Sequence, residues 1–219
     1  MKDNVAASAV NLGSVPIVSD PTSTTAEAIR ALRTHIMARH IDRGHRALAI
    51  CGPSNGVGCT FLAVNLAAAL AQVGVNALLI DGDMRTASVS TMLGQSENHP
   101  GLLQYLTSQD AGYSDYLDRN ILPNLSVMFA GGRVPEAQEL LAGDRFARLM
   151  DALLRNFDAT IIDTPAANQS SDCGRIGNVV SYCLLVARKN ITYLHDIKVL
   201  AEQLQADHAR IIGTVLNDA

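Results

Sequence analysis

The chain has 219 residues, 48% of them hydrophobic and 4% aromatic, with no Trp and a formal net charge of −4. This supports one sizeable core of Ala, Leu, Val and Ile, and it excludes a general attraction to nucleic acid or anionic membrane. The apolar run from Leu62 to Ile80 is broken by Asn65, Gln72, Gly74 and Asn76, and the N-terminus has no charged-then-apolar leader. Cys51, Cys59, Cys173 and Cys183 are spaced for neither a zinc site nor a disulfide framework, so a reducing, cytoplasmic setting is expected.

Residues 1–20 are small and polar with isolated valines, and they are expected to form a flexible tail ahead of a single domain over 21–219. A helix is predicted from the Ser/Thr/Asp/Pro-punctuated segment that follows, with Ile29, Leu32 and Ile36 on one face. Arg46–Ile50 reads as a short buried strand, Thr60–Gln72 as an Ala/Leu-rich helix, and Val75–Asp81 as a second strand ending in acid. Asn124–Gly132 reads as a strand leaving through a glycine turn. Phe146, Leu149, Met150, Leu153 and Phe157 then recur at helical spacing. Asp158–Pro165 is a third acid-ended strand. "SYCLLVAR" and "ARIIGTVLN" are two more strands, separated by a helix carrying Leu194, Ile197, Leu200, Ala201 and Leu204. Apolar strands alternating with amphipathic helices predict an α/β fold of three layers, α/β/α, around a mostly parallel sheet.

Three loops carry chemistry. In "CGPSNGVGCT" Gly56, Gly58 and Thr60 occupy phosphate-loop positions between a strand and a helix. Pro53 stands where the pattern has its first glycine, and Cys59 stands where it has lysine. Alone, a tight structural turn explains this stretch as well. "LLIDGDMR" then places Asp81 and Asp83 at a strand exit, and "TIIDTP" places Asp163 at another. Singly, each acid could cap a following helix. In this order, beyond the carboxyl ends of parallel strands, they point to one crevice for magnesium and nucleotide phosphates.

The series of glycine loop, "LLIDGDMR" and "IIDTP" resembles the Walker A, A′ and B motifs of the bacterial tyrosine kinases (BY-kinases), P-loop partners of capsule and exopolysaccharide chain-length regulators. "EAIRALRTHI" fits that family's E-x-x-R-x-x-R helix through Glu27, Arg30 and Arg33, and "GTVLN" is similar to its last strand. The resemblance runs over nearly the whole chain after the tail. It implies a P-loop NTPase fold of the ParA/MinD-like superfamily. It also implies an ATP or ADP site formed by Ser54, Asn55, Gly56, Val57, Gly58, Cys59, Thr60, Phe61 and Asn217. Thr60, Asp83 and Asp163 would hold Mg²⁺, partly through water, and Asp81 would accept the tyrosine proton. Glu27, Arg30 and Arg33 would join subunits in a homo-oligomeric ring, the reading the resemblance favours over a simple Glu27–Arg30 pair along the helix. The partner implied is the cytoplasmic tail of a membrane polysaccharide co-polymerase, which would place the protein at the inner face of the plasma membrane.

The sequence departs from the family at three points. Cys59 replaces the Walker lysine, Ser54 stands where MinD-like ATPases carry their signature lysine, and no tyrosine cluster follows "VLN". The lysines are Lys2, Lys189 and Lys198, none in an obvious position to substitute, and Arg85 is the arginine nearest by motif. Cys59 at a helix N-terminus also admits a reactive thiolate, against the plainer reading of a small residue tolerated there. The expectation is a BY-kinase-like component of exopolysaccharide synthesis with weakened or lost tyrosine kinase activity. The alternatives are an active but unusual tyrosine kinase and a ParA/MinD-like positioning ATPase. Ser54 and the lack of a terminal amphipathic helix weigh against the last.

Overall fold

A computed structural model describes residues 12–96, 99–108 and 112–218. The helices are α1 (Pro16–Ser19), α2 (Thr24–Arg39), α3 (Cys59–Gln72), α4 (Ser88–Met92), α5 (Leu102–Thr107), α6 (Ala137–Ala142), α7 (Asp144–Asn156), α8 (Asp172–Val180) and α9 (Leu194–Ala206). The strands are β1 (Ala47–Cys51), β2 (Ala77–Asp81), β3 (Asp118–Leu122), β4 (Leu125–Met128), β5 (Ala159–Asp163), β6 (Tyr182–Arg188) and β7 (Arg210–Asn217). They form one sheet in the order β3-β4-β2-β5-β1-β6-β7. Every neighbouring pair is parallel except β3 with β4.

The central strands are apolar and buried along their whole length because both sheet faces are covered. Alternation along β1 divides the core. Leu48 and Ile50 pack with α2 and α3 on one face, while Ala47, Ala49 and Cys51 pack with α7, α8 and α9 on the other. The three-layer α/β/α expectation is met. Helix α3 is buried from Leu62 to Ala71, since it lies between the sheet and the α1–α2 segment; an Ala/Leu-rich helix apolar all round suits that place. Helix α2 starts at Ser23, whose hydroxyl accepts the Ala26 N–H and supplies the cap.

The tail boundary expected at residue 20 needs correction. Val15 and Ile17 are fully buried in the core, Ile17 N–H donates to Asn65 Oδ1, and Gln72 donates to the Ile17 carbonyl. Two isolated apolar residues are enough to dock this segment because α3 offers a matching apolar groove with two polar partners. Most of the expected tail, residues 1–11, lies outside the described residues, as does Lys2. Among the described residues no helix is long and apolar enough to cross a membrane.

Candidate nucleotide site

The acid-ended strands finish level with each other. Asp81 of β2 is in register with Asp163 of β5, and the Gly82 N–H donates to the Asp163 carbonyl. Beside them, β1 runs through residues 52–58 into α3. Gly56 and Gly58 adopt left-handed φ values of +75° and +103°. At Gly58 a β-carbon would also collide with the Asn217 side chain, which donates from Nδ2 to the Val57 carbonyl at 3.0 Å. The neighbouring Gly56 carbonyl accepts from the Arg188 guanidinium at 2.9 Å. Gly58 caps α3 without a side chain, so the unpaired N–H groups of the first turn are left for a ligand.

A crevice of about 400 Å³ opens here. All eight loop residues expected from the sequence, Ser54 to Phe61, line it, together with Asp83, Thr86, Ser88 and Thr164. Asn217 lines an adjoining slot of about 390 Å³ with Gly58, Phe61 and the α2 residues Thr24 and Ile29. Thr86, Ser88 and Thr164 were not expected from the sequence. They follow the acidic motifs closely, but nothing in a sequence shows which loop residues line a crevice, and the Thr164 hydroxyl itself donates to the Ile50 carbonyl.

The three carboxylates differ in place. Asp83 lies at the crevice wall, and its Oδ1 accepts the N–H groups of Arg85 and Thr86. Asp163 is fully buried, and neither oxygen has a well-formed hydrogen bond among the described residues. Burial pushes its pKa up to about 7; the Thr60 hydroxyl offsets part of that and the Asp83 charge adds to it. Asp81, the expected proton acceptor, sits behind the crevice wall. It is completely buried, does not line the crevice, and accepts the Asp83 N–H at Oδ1 and the Val89 N–H at Oδ2, each at 3.1 Å. Burial, then the charges of Asp163 and Asp83, raise its pKa. Its position holds the β2 exit loop in shape.

Cys59 is turned against the base of the loop: a β-carbon on Gly52 would meet its Sγ. Burial first, then the Asp163 carboxylate, raises its thiol pKa, which favours the plainer reading of a small residue over a reactive thiolate. Arg85 is no replacement cation, because its Nε is bound at 2.8 Å to Asp172, whose carboxylate is buried at the start of α8. Lys189 pairs with Asp218 at 2.9 Å, and Lys198 lies within α9. Arg30 pairs with Glu27 at 2.8 Å and donates to the Pro21 carbonyl, so the intrahelical pair is formed; Arg33 reaches the Ala69 carbonyl.

The residues fit a magnesium–nucleotide. Asp163 has two orphaned buried oxygens, with Thr60 nearby and Asp83 at the wall.

Residues 45–173 match the AAA domain family. The chain is 30% identical over 197 residues to the Staphylococcus aureus protein named "Putative tyrosine-protein kinase CapB", covering 90% of this chain and 86% of that one. It is 30% identical over 200 residues to the Escherichia coli K12 tyrosine-protein kinase Etk, covering 91% of this chain and 27% of Etk, so it spans about a quarter of that longer relative. Among solved structures, the chimerical protein CapA2B2 superposes with a TM-score of 0.86 at 30% identity, over 94% of this chain and 90% of that one. The kinase domain of E. coli Etk gives 0.86 at 29% identity, over 94% and 80%. MinD from Pyrococcus horikoshii, complexed with Mg-ADP, gives 0.67 at 24% identity over 78% of this chain and 69% of that one, a likeness of fold. The glycine loop, the level acid-ended strands and these relatives together show that the chain belongs to the bacterial tyrosine kinase family.

Proposed function

We propose that this chain is a BY-kinase-like component of exopolysaccharide or capsule synthesis that binds magnesium–nucleotide but transfers phosphate to tyrosine poorly. It would act at the inner face of the plasma membrane, through the cytoplasmic tail of a membrane co-polymerase, as a homo-oligomer joined through the Glu27–Arg30–Arg33 helix. The observation that carries the reading is Cys59. At the position of the phosphate-neutralising lysine stands a thiol that packs against Gly52, while Gly56, Gly58 and Thr60 keep their places along the crevice.

The loop N–H groups and the start of α3 would bind the phosphates. Thr60, Asp83 and Asp163 would hold Mg²⁺, which supplies positive charge to the phosphate oxygens when bound. Loss of one preorganised donor from such a site lowers the rate by about 10²–10³. Binding that rests on backbone amides survives this better than transfer does.

The test is titration of the natural chain and Cys59→Lys with magnesium–ADP and magnesium–ATP, alongside phosphotyrosine formation on an added tyrosine peptide. The expected result is weak binding with little transfer by the natural chain, and a gain of about 10²-fold in transfer by Cys59→Lys. Tight ATP binding and rapid transfer by the natural chain, with no gain from lysine, would overturn the reading.

A further inference from the structure

The loop lacks its lysine, yet one cation is bonded to it. The Arg188 guanidinium, from the last residue of β6, donates to the Gly56 carbonyl at 2.9 Å. Among the described residues Arg188 has no carboxylate partner, unlike Arg85, Arg30 and Lys189, which are paired with Asp172, Glu27 and Asp218. Its backbone is fixed as well. The Arg188 N–H donates to the Thr192 hydroxyl, its carbonyl accepts from Ile191 and Thr192, and the next residue donates to the Asn217 carbonyl. The guanidinium therefore projects from a rigid strand end onto the loop.

Its hydrogen bond has a directional consequence. A trans peptide unit is planar, with C=O and N–H pointing opposite ways. Holding the Gly56 carbonyl toward Arg188 turns the Val57 N–H away from β6. In the same way Asn217, holding the Val57 carbonyl, turns the Gly58 N–H away from β7. Two successive loop amides are oriented from outside by two side-chain donors, and one of these carries a full charge. Arg has five N–H donors, and a single bond to Gly56 leaves others for an anion.

We infer that Arg188 is a positioning residue for the phosphate loop and supplies the positive charge that Cys59 does not. This rests on the nucleotide reading above. The test measures magnesium–ADP and adenosine affinity for the full chain and for Arg188→Gln, Arg188→Lys and Arg188→Gln/Cys59→Lys. Arg188→Gln is expected to weaken magnesium–ADP by about 10- to 100-fold, the span of one charge-assisted hydrogen bond, and to leave adenosine unchanged. Arg188→Lys should stay within about 3-fold of the natural chain, and Cys59→Lys should recover the loss in Arg188→Gln. Unchanged magnesium–ADP affinity in Arg188→Gln overturns the inference alone. An equal loss in the Gln and Lys variants, or an equal loss for adenosine, also overturns it, by showing a steric brace without a charge role. If the natural chain binds no magnesium–ADP at millimolar concentration, both the inference and the nucleotide reading fall.

Discussion

At the scale of single residues, the site stores a conflict that solution measurements can read. Asp163 has a pKa of about 7 in the folded chain against 3.8 for the free group, because burial outweighs the help it gets from the Thr60 hydroxyl. The folded state thus holds a proton that the unfolded state has lost. Stability should fall as pH rises from about 4 to 7 and level off above that. Asp163→Asn should reduce this slope, with Asp81, whose pKa is also raised, carrying the remainder, and increase stability at pH 8, measured by urea unfolding across pH, while abolishing any magnesium dependence of nucleotide binding. A natural chain with a flat profile would contradict this. Gly58→Ala is expected to act in the opposite direction. It combines a left-handed backbone with a collision against Asn217, so a loss of about 1–3 kcal/mol is expected, together with loss of nucleotide binding.

At the scale of elements, the strong periodic segments were legible and the short ones were not. The strands at β1, β2, β4, β5 and β6 read directly because continuous apolar runs need two covered faces, and β7, a half-exposed edge, read from its Ile, Val and Leu content. Helices α2, α7 and α9 read from their spacing, and α3 from its Ala/Leu-rich composition. Strand β3 was missed: Asp118–Leu122 begins with three polar residues, and as an antiparallel edge it needs little apolar content. Helices α4, α5 and α6 have six residues or fewer, too short to show a period. Segment α1 was read as tail because its burial depends on a groove that only the folded α3 presents. Ile17→Ala should therefore cost about 2–4 kcal/mol in thermal or urea unfolding, an effect that a true tail residue would not show. Ser23→Ala should cost about 1 kcal/mol through the α2 cap.

At the scale of the whole molecule, the proposed ring depends on the exposed face of α2. Glu27 and Arg30 are already paired within the helix, so a neighbouring subunit would have to share or replace that pair. Joint Arg30→Ala and Arg33→Ala substitution should shift the chain to its smallest species in light scattering, with magnesium–ADP affinity within about 3-fold; an unchanged mass would remove this helix from the assembly. The sequence by itself determined the family, the sheet-and-helix alternation, the glycine loop and the acid-ended strands, because these follow from local spacing and residue chemistry. It also showed that the lysine is missing. Only the tertiary structure decided which acid faces the crevice, that the Cys59 thiol is half-buried against Gly52, that Arg85 belongs to Asp172, and that Arg188 reaches the loop. Those facts depend on burial and on contacts between residues far apart in the chain, Gly56 and Arg188 among them, and such contacts leave no local periodicity to read.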